Sequence, residues 1–253
     1  MISHAIVCPP AVGFDNAIRP EDAGAAIDVR LAREQHDAYA RVVAASAGDV
    51  IRLEPDERYP DCCFVEDPVV VAGDRAVICN MAAQSRRGEG SAIRDALAPH
   101  KQIVDLQAPA TLDGGDVVHI ARRLYVGMSS RSNMDAVEQL RTILGPDGYV
   151  VTPVPVSGVL HLKSAATYIG AETVVACAAY VDPDIFQGCR VIDVPVEESY
   201  AANCLGLGGV VVVSDGFVRT RDAIAGAGFE TASLAMTEFR KAGGSLTCLS
   251  VLF

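Results

Sequence analysis

From residue 68 onward the chain repeats one pattern: two β-branched runs joined by a tight turn, a stretch with helical spacing, then a third β-branched run. "PVVVAGDRAVICN" reads as a hairpin turning at Gly73–Asp74, followed by a helix over 88–98 and a strand at "QIVDL". "DVVHIARRLYVGM" (116–128) opens the next round. Its helix begins after Asn133, a good N-cap, with Met134, Val137, Leu140 and Leu144 on one face, and "GYVVTPV" supplies the strand. A third round runs through "HLKSAATYIGAETVVACAAY", a short helix over 182–187 and "RVIDVPV". The fourth takes "ANCLGLGGVVVVSDG", a helix over 220–227 and "FETASL".

Two pieces are then left over. The N-terminal end offers a strand "HAIVCP" (4–9), a helix whose face would be Ile27, Leu31, Ala38 and Val42, and a strand "DVIRLEP" (49–55). The C-terminal end offers a strand "SLTCLSVLF" with no helix after it. Joined, they complete a fifth unit. Units of roughly 40–50 residues that recur along a chain bury their apolar faces against one another in a ring or stack, and a ring leaves few free strand edges. The pattern predicts an α/β ring of five β-β-α-β units forming one domain over 1–253, with an open α+β sheet as the alternative on pattern alone.

Composition narrows the possible ligands. Half of the 253 residues are hydrophobic, enough for a substantial core, and the formal net charge is −11. Nucleic-acid binding needs a basic stripe, and the chain has only short pairs such as Arg86–Arg87 and Arg122–Arg123, so no nucleic-acid partner is expected. No apolar run approaches the ~18–20 residues of a membrane span, and "MISHAIVCPP" lacks the pattern of a signal peptide. A cytoplasmic protein with no membrane partner is expected. The eight cysteines show no C-x-x-C and no finger-like spacing to histidine, so buried reduced thiols are expected rather than disulfides or a metal site.

Several polar residues lie where the repeats place strand ends. "FVEDPVVVAGDRAVICN" (64–80) sets Glu66 and Asp67 side by side at the mouth of a valine strand. With Asp61 they suit a planar, multi-donor cation such as a guanidinium, although a charged surface loop has the same composition. Cys248 in the last strand and His161 in "VLHLKS" would each be ordinary core residues alone; together they would supply a thiolate–imidazole pair for nucleophilic catalysis. Asp113 in "TLDGGDVVH" is either a turn residue or the carboxylate that orients a histidine. A metal site from Asp113, Asp116, His119 and His161 is disfavoured, because Asp116 and His119 would face opposite sides of a strand. Arg86 and Arg131 each precede a predicted helix N-terminus, where anions are favoured, and would hold a carboxylate if not simply solvated.

Taken in order, "PDCCFVEDP", "SRRGE", "TLDGGDVV", "HLKS", "AANC" and "TCLSVLF" resemble the dimethylarginine dimethylaminohydrolase family, from about residue 4 to 253. The resemblance implies a five-bladed α/β propeller with pseudo-fivefold arrangement. It also implies a cysteine-dependent hydrolase of Nω-substituted L-arginine that needs no metal or other cofactor, acting on a small molecule as a monomer or homodimer. Carried across by motif, Cys248 corresponds to the nucleophile, His161 to the general acid and base, and Asp113 to its carboxylate support. Asp61, Glu66 and Asp67 correspond to acids around the guanidinium, and Arg86 and Arg131 to groups at the amino-acid end. Ile18 falls where the family has a leucine on a mobile lid. The chain departs from a family-like "TRPGA" with "CNMAA" at 79–83, a change that bears on substrate identity more than on the reaction. Alternatives are a hydroxyarginine amidinohydrolase, an arginine deiminase, an amidinotransferase, or a non-catalytic binding scaffold.

Overall fold

The structure, a computed structural model, describes residues 2–20 and 24–253. The first unit opens with strand β1 (Ile2–Val7), helix α1 (Val29–Ser46) and strand β2 (Ala47–Arg52). The second has β3 (Val69–Ala72), β4 (Arg75–Ile78), α2 (Gly90–Leu97) and β5 (Gln102–Asp105). The third has β6 (Val117–Ile120), β7 (Arg123–Met128), α3 (Met134–Leu144) and β8 (Val150–Pro155). A one-turn helix α4 (Leu162–Ala165) leads into β9 (Ala166–Gly170), β10 (Thr173–Ala176) and, after a 3₁₀ turn, β11 (Arg190–Asp193). The last full unit has β12 (Leu205–Leu207), β13 (Val210–Ser214), α5 (Val218–Gly226) and β14 (Glu230–Leu234). Then α6 (Thr237–Lys241) leads on to β15 (Val251–Leu252).

In every sheet the central strand pairs antiparallel with one neighbour and parallel with the other. Tight turns can make only the first kind of pair; the second needs a crossover, which the helix or 3₁₀ turn supplies. In the first sheet β15 takes the place of the missing hairpin strand, with Ala5 opposite Leu252 and Ile6 opposite Val251.

The apolar core shows that the ring closes. Each central strand sends alternate side chains into two different cores, as strand geometry demands. Val77 packs with Val117, Leu124 and Leu140 toward the third sheet, while Ala76 and Ile78 pack with Ile6, Cys8 and Val251 toward the first. Val174 and Ala176 join Val118 and Tyr125, while Val175 joins Val211, Val213 and Ile224. The circuit is completed by Leu205, Leu207 and Val212 packing with Ala5, Val7 and the buried face of α1. The five small sheets are thus the blades of an α/β propeller.

Two sequence expectations need correction. The buried face of α1 is Ala32, His36, Tyr39 and Val43, one residue round from the expected Leu31, Ala38 and Val42. Tyr39 decides it: the side chain is fully buried and its hydroxyl is satisfied by Ser250 Oγ at 2.7 Å. The terminal segment is also not one strand. Thr247–Leu249 forms a 3₁₀ turn, and only Val251–Leu252 pairs. Among the described residues no helix is long and apolar enough to cross a membrane.

Candidate active site

Cys248 sits in that 3₁₀ turn, held from three sides. Thr247 N–H donates to Asn203 Oδ1 (3.0 Å) and Asn203 Nδ2 donates back to Thr247 Oγ1 (2.9 Å), which ties the turn to the "AANC" segment. Glu66 N–H donates to the Cys248 carbonyl (3.2 Å), and Ser245 N–H points at the sulfur (3.4 Å). Gly244 permits the approach, since a Cβ there would lie 2.3 Å from the Phe64 ring.

His161 immediately precedes α4. Its Nε2 lies 3.0 Å from Asp113 Oδ2, and its Nδ1 lies 4.0 Å from Asp67 Oδ1. The "LDGGD" sequence makes this arrangement possible. A Cβ on Gly115 would come within 2.7 Å of His161 Nδ1, and one on Gly114 within 2.2 Å of the Glu66 carbonyl. Asp116 secures the chain after the histidine: it accepts from Leu162 N–H at 2.9 Å and from the hydroxyls of Ser129 and Ser132.

Asp67 is buried and accepts from Arg86 Nη1 (2.7 Å) and Gly115 N–H (3.2 Å). Asp61, also buried, accepts from the Ile18 N–H at 3.2 Å, so the segment expected to act as a lid is anchored on an acid of the site. Arg131 Nη1 donates to Asp113 Oδ2 (3.1 Å), the oxygen that also meets His161.

Glu66 and Arg86 depart from expectation. The Glu66 carboxylate is not offered to the pocket beside Asp67. Lys163 Nζ (2.5 Å) and Thr247 Oγ1 (2.8 Å) each occupy one of its oxygens, and it lines a separate cavity of about 220 Å³ with Lys163, His119 and Ser250. Glu66 and Asp67 lie in a turn, with Asp67 N–H donating to the Phe64 carbonyl and Val69 N–H to the Glu66 carbonyl (3.3 Å each), just before β3. Arg86, expected to hold a carboxylate, is buried and largely committed. Its Nε and Nη2 grip Glu89 (2.8–3.1 Å), Nη1 bonds Asp67, and the guanidinium lies over the Phe64 ring at 5.9 Å. Three residues outside the expected set thus complete the surroundings: Glu89 in "SRRGE", Lys163 in "HLKS" and Asn203 in "AANC".

Burial, and then the Asp67 and Glu66 carboxylates, push the Cys248 thiol well above its ordinary range. Burial alone would lower His161; Asp67, the bond to Asp113, and Asp116 outweigh it and raise the imidazole. Burial raises Asp61 against the pull of Arg86. Burial opposes ionisation of Asp67 too, but His161 and Arg86 hold it below the usual carboxylate range. In the resting site the thiol is thus held toward its neutral form, and the imidazole is favoured in its charged form. Asp113 Oδ1 is buried without a partner.

Asp67, Asp113 and His161 present ligand atoms within 4.8 Å of one another, a spacing a metal ion would accept. Arg86 and Arg131 already balance the two carboxylates. His119, from the expected alternative set, bonds the Ala121 carbonyl and lines the other cavity.

Cys248, His161, Asp67, Asp61, Arg86, Arg131 and Ile18 all line one cavity of about 30 Å³. That is room for about two water-sized groups, the head of a small cation rather than a whole amino acid. Ile18, Arg131, Leu160 and Gly243 also line a wider space of about 740 Å³ with Arg19, Tyr200 and Arg240. A planar cation could thus sit on acids beside the thiol while an attached anionic group lies among arginines.

The chain matches the family model described as "N,N dimethylarginine dimethylhydrolase, eukaryotic" over residues 10–251. It is 35% identical to N(G),N(G)-dimethylarginine dimethylaminohydrolase of Pseudomonas aeruginosa over 256 residues, covering all of both chains. Among solved structures it is similar to a cysteine-to-serine variant of the Pseudomonas aeruginosa enzyme complexed with citrulline, with a TM-score of 0.95 and 34% identity over the whole of each chain. It is equally similar in fold, at TM-score 0.95 and 33% identity with full coverage of both chains, to a histidine-to-glycine variant of a dimethylarginine dimethylaminohydrolase in an adduct with S-methyl-L-thiocitrulline.

Proposed function

The chain belongs to the dimethylarginine dimethylaminohydrolase family, and from that premise we propose that it hydrolyses Nω-methylated L-arginine to citrulline and a methylamine, with Cys248 as nucleophile. The observation that carries this reading is the single cavity uniting a thiol, an imidazole paired with a buried carboxylate, and two further acids. The enzyme is a hydrolase of a guanidinium C–N bond, and its ligand is a small arginine derivative.

Asp67 and Asp61 would take the guanidinium N–H groups and localise its delocalised charge, making the central carbon a better electrophile. The incoming cation also offsets the carboxylates that hold the Cys248 proton in place, so binding favours the thiolate. Thiolate attack gives a tetrahedral adduct. An amide anion does not leave unaided, so His161, held through Nε2 by Asp113, gives a proton to the departing amine. The thiouronium left on Cys248 is attacked by water, whose proton passes to the now neutral His161. Collapse releases citrulline and restores the thiol. Arg131, with the Nη1 hydrogen that Arg86 has left, would meet the substrate carboxylate toward the wider space.

A panel of substituted arginines analysed by mass for both products tests the reading. Citrulline plus methylamine or dimethylamine supports it. Citrulline plus ammonia from arginine alone, or ornithine plus urea, overturns it in favour of a deiminase or an amidinohydrolase. His161→Gly should lose turnover of methylarginines but still react with S-methyl-L-thiocitrulline, whose thiol leaving group needs no proton; equal losses on both remove the general-acid role.

A further inference from the structure

Three segments far apart in the chain meet at one carboxamide. Asn203 ends the 3₁₀ segment Val196–Ala202, ahead of β12, and is buried. Its Oδ1 accepts from Thr247 N–H at 3.0 Å, and its Nδ2 donates to Thr247 Oγ1 at 2.9 Å and to the Lys163 carbonyl at 3.1 Å. Chemistry fixes which end is which. A backbone N–H can only donate and a carbonyl only accept, so the oxygen faces Thr247 N–H and the nitrogen faces Lys163. Both N–H bonds are thereby taken, and although Asn203 lines the wider space it has no donor left for a substrate carboxylate. The Lys163 carbonyl needs this partner. Helix α4 is four residues long, too short to supply an N–H four residues on, and the last carbonyls of a helix go unsatisfied without an outside donor. The same segment holds the Cys248 turn twice more. The Tyr200 hydroxyl donates to the Gly244 carbonyl at 2.8 Å, and the Asn203 carbonyl accepts from the Ser245 hydroxyl at 3.4 Å.

We propose that Asn203 is a positioning residue that sets the Cys248 sulfur and the His161 imidazole in one frame, so that attack and protonation of the leaving amine fall on the same bound guanidinium. Thr247 precedes the nucleophile by one residue, and Lys163 follows the acid by two. His161 is held from its other side, by Asp113 through Nε2 and by Asp116 through the Leu162 N–H. Those bonds fix the ring against the segment that leads into β6; neither reaches the Cys248 turn. Glu66 does join Lys163 to Thr247, but through the flexible four-carbon stem of the lysine and a hydroxyl. The Asn203 link instead joins backbone to backbone across one planar group, and so leaves the least slack. Slack matters here, because a misplacement of about 1 Å costs about 10²-fold in rate.

The inference rests on the hydrolase reading above, and two substrates test it. Methylated arginine needs both groups, whereas S-methyl-L-thiocitrulline needs the sulfur but no proton on its thiol leaving group. In Asn203→Ala, kcat on Nω-methyl-L-arginine should fall about 10²-fold and kcat on S-methyl-L-thiocitrulline about tenfold, with both KM values within about threefold of the parent. The ratio of the two kcat values does not depend on how much enzyme is folded, so a mere loss of stability leaves it unchanged. Asn203→Asp keeps the size and the acceptor for Thr247 N–H but turns an oxygen toward the Lys163 carbonyl. Its ratio should fall as well, since any effect of the added charge on the sulfur weighs on both substrates alike. Equal losses on the two substrates, or a raised KM with kcat kept, overturns the positioning role. If the parent turns over no methylated arginine, the hydrolase reading falls and the placement of the sulfur is read with 2-chloroacetamidine, a planar cation that alkylates thiols. Labelling of Cys248, followed by mass, that is about tenfold slower in Asn203→Ala keeps the positioning role, and an unchanged rate overturns it.

Discussion

Glu66 and Asp67 are neighbours in the chain and serve opposite sides of the ring's centre. On one side Glu66, Lys163 and Thr247 form a closed account of charge: each carboxylate oxygen has a donor, and the cavity beyond is larger. On the other side Asp67 shares Arg86 with Glu89 and faces His161, while Asp113 keeps an unpartnered oxygen. The same residue types thus give a satisfied plug and an unsatisfied site. What separates them is whether the local charges need anything further. The reactive side still has a cation to bind, and so holds a thiol and an imidazole away from their ordinary ranges.

Substitutions on the two sides should therefore fail in different ways. Cys248→Ser should lower kcat by on the order of 10³-fold or more with an unchanged melting temperature; near wild-type product formation would remove the nucleophile assignment. Asp113→Asn should cost about 10²-fold in kcat, because it misorients His161 and removes the charge that supports the imidazolium. Its pH–rate profile should also show the alkaline limb displaced to lower pH, since losing that carboxylate lowers the His161 pKa and the imidazole gives up its proton sooner. On the plug side, Lys163→Met should destabilise the fold by about 3 kcal/mol in urea, with Glu66 left uncompensated. Adding Glu66→Gln should recover much of that loss, and kcat should stay within about threefold of the parent in both. A large loss of kcat in the double variant would mean that the plug takes part in chemistry, and the contrast between the sides would fall.

The smallest effect expected lies away from both. His36 is fully buried in α1 with neither ring nitrogen bonded, and burial, with Arg52 adding, pushes it down to about 4. The unfolded histidine titrates higher, so between these values the unfolded state binds more protons and stability falls as the pH drops. Between pH 7 and 5 the loss from this one group is about 2 kcal/mol. His36→Phe should flatten the pH dependence of unfolding in that window; an unchanged slope would show that other groups govern acid sensitivity.

How much of this the chain announces depends on whether a partner is local. The hairpin at Gly73–Asp74 and the helix beginning after Asn133 were legible, because turn chemistry, capping and alternation act within a few residues. The helix face of α1 was misplaced because the apolar count underrates Tyr39 and His36, whose burial depends on Ser250 and on packing against the first sheet. Cys248 was placed on a strand, whereas the turn that presents it is fixed by Asn203, far away in sequence. Asp67 and Asp61 line the cavity as charge placement suggested, whereas Glu66, in the same turn as Asp67, lines the other one. Its partner Lys163 was not legible: no short-range signal links "VED" to "HLKS". Arg86 drew notice as an anion holder, but the neighbour that claims it, Glu89, needed only the next helical turn to be weighed.

The first sheet differs from the other four in drawing its strands from both ends of the sequence, with β15 laid against β1 and the Phe253 carbonyl accepting from Ser3 and His4 N–H. Cys248 stands just before that seam. Contacts so distant along a chain are the costliest to close and form late in folding. An open or partly folded ring consequently carries the sulfur but not its surroundings: no Glu66 amide on its carbonyl, no Asn203 on its turn, no imidazole beside it. Turnover is then a certificate of completed assembly: a copy whose ring has not closed carries the sulfur but cannot act on a guanidinium.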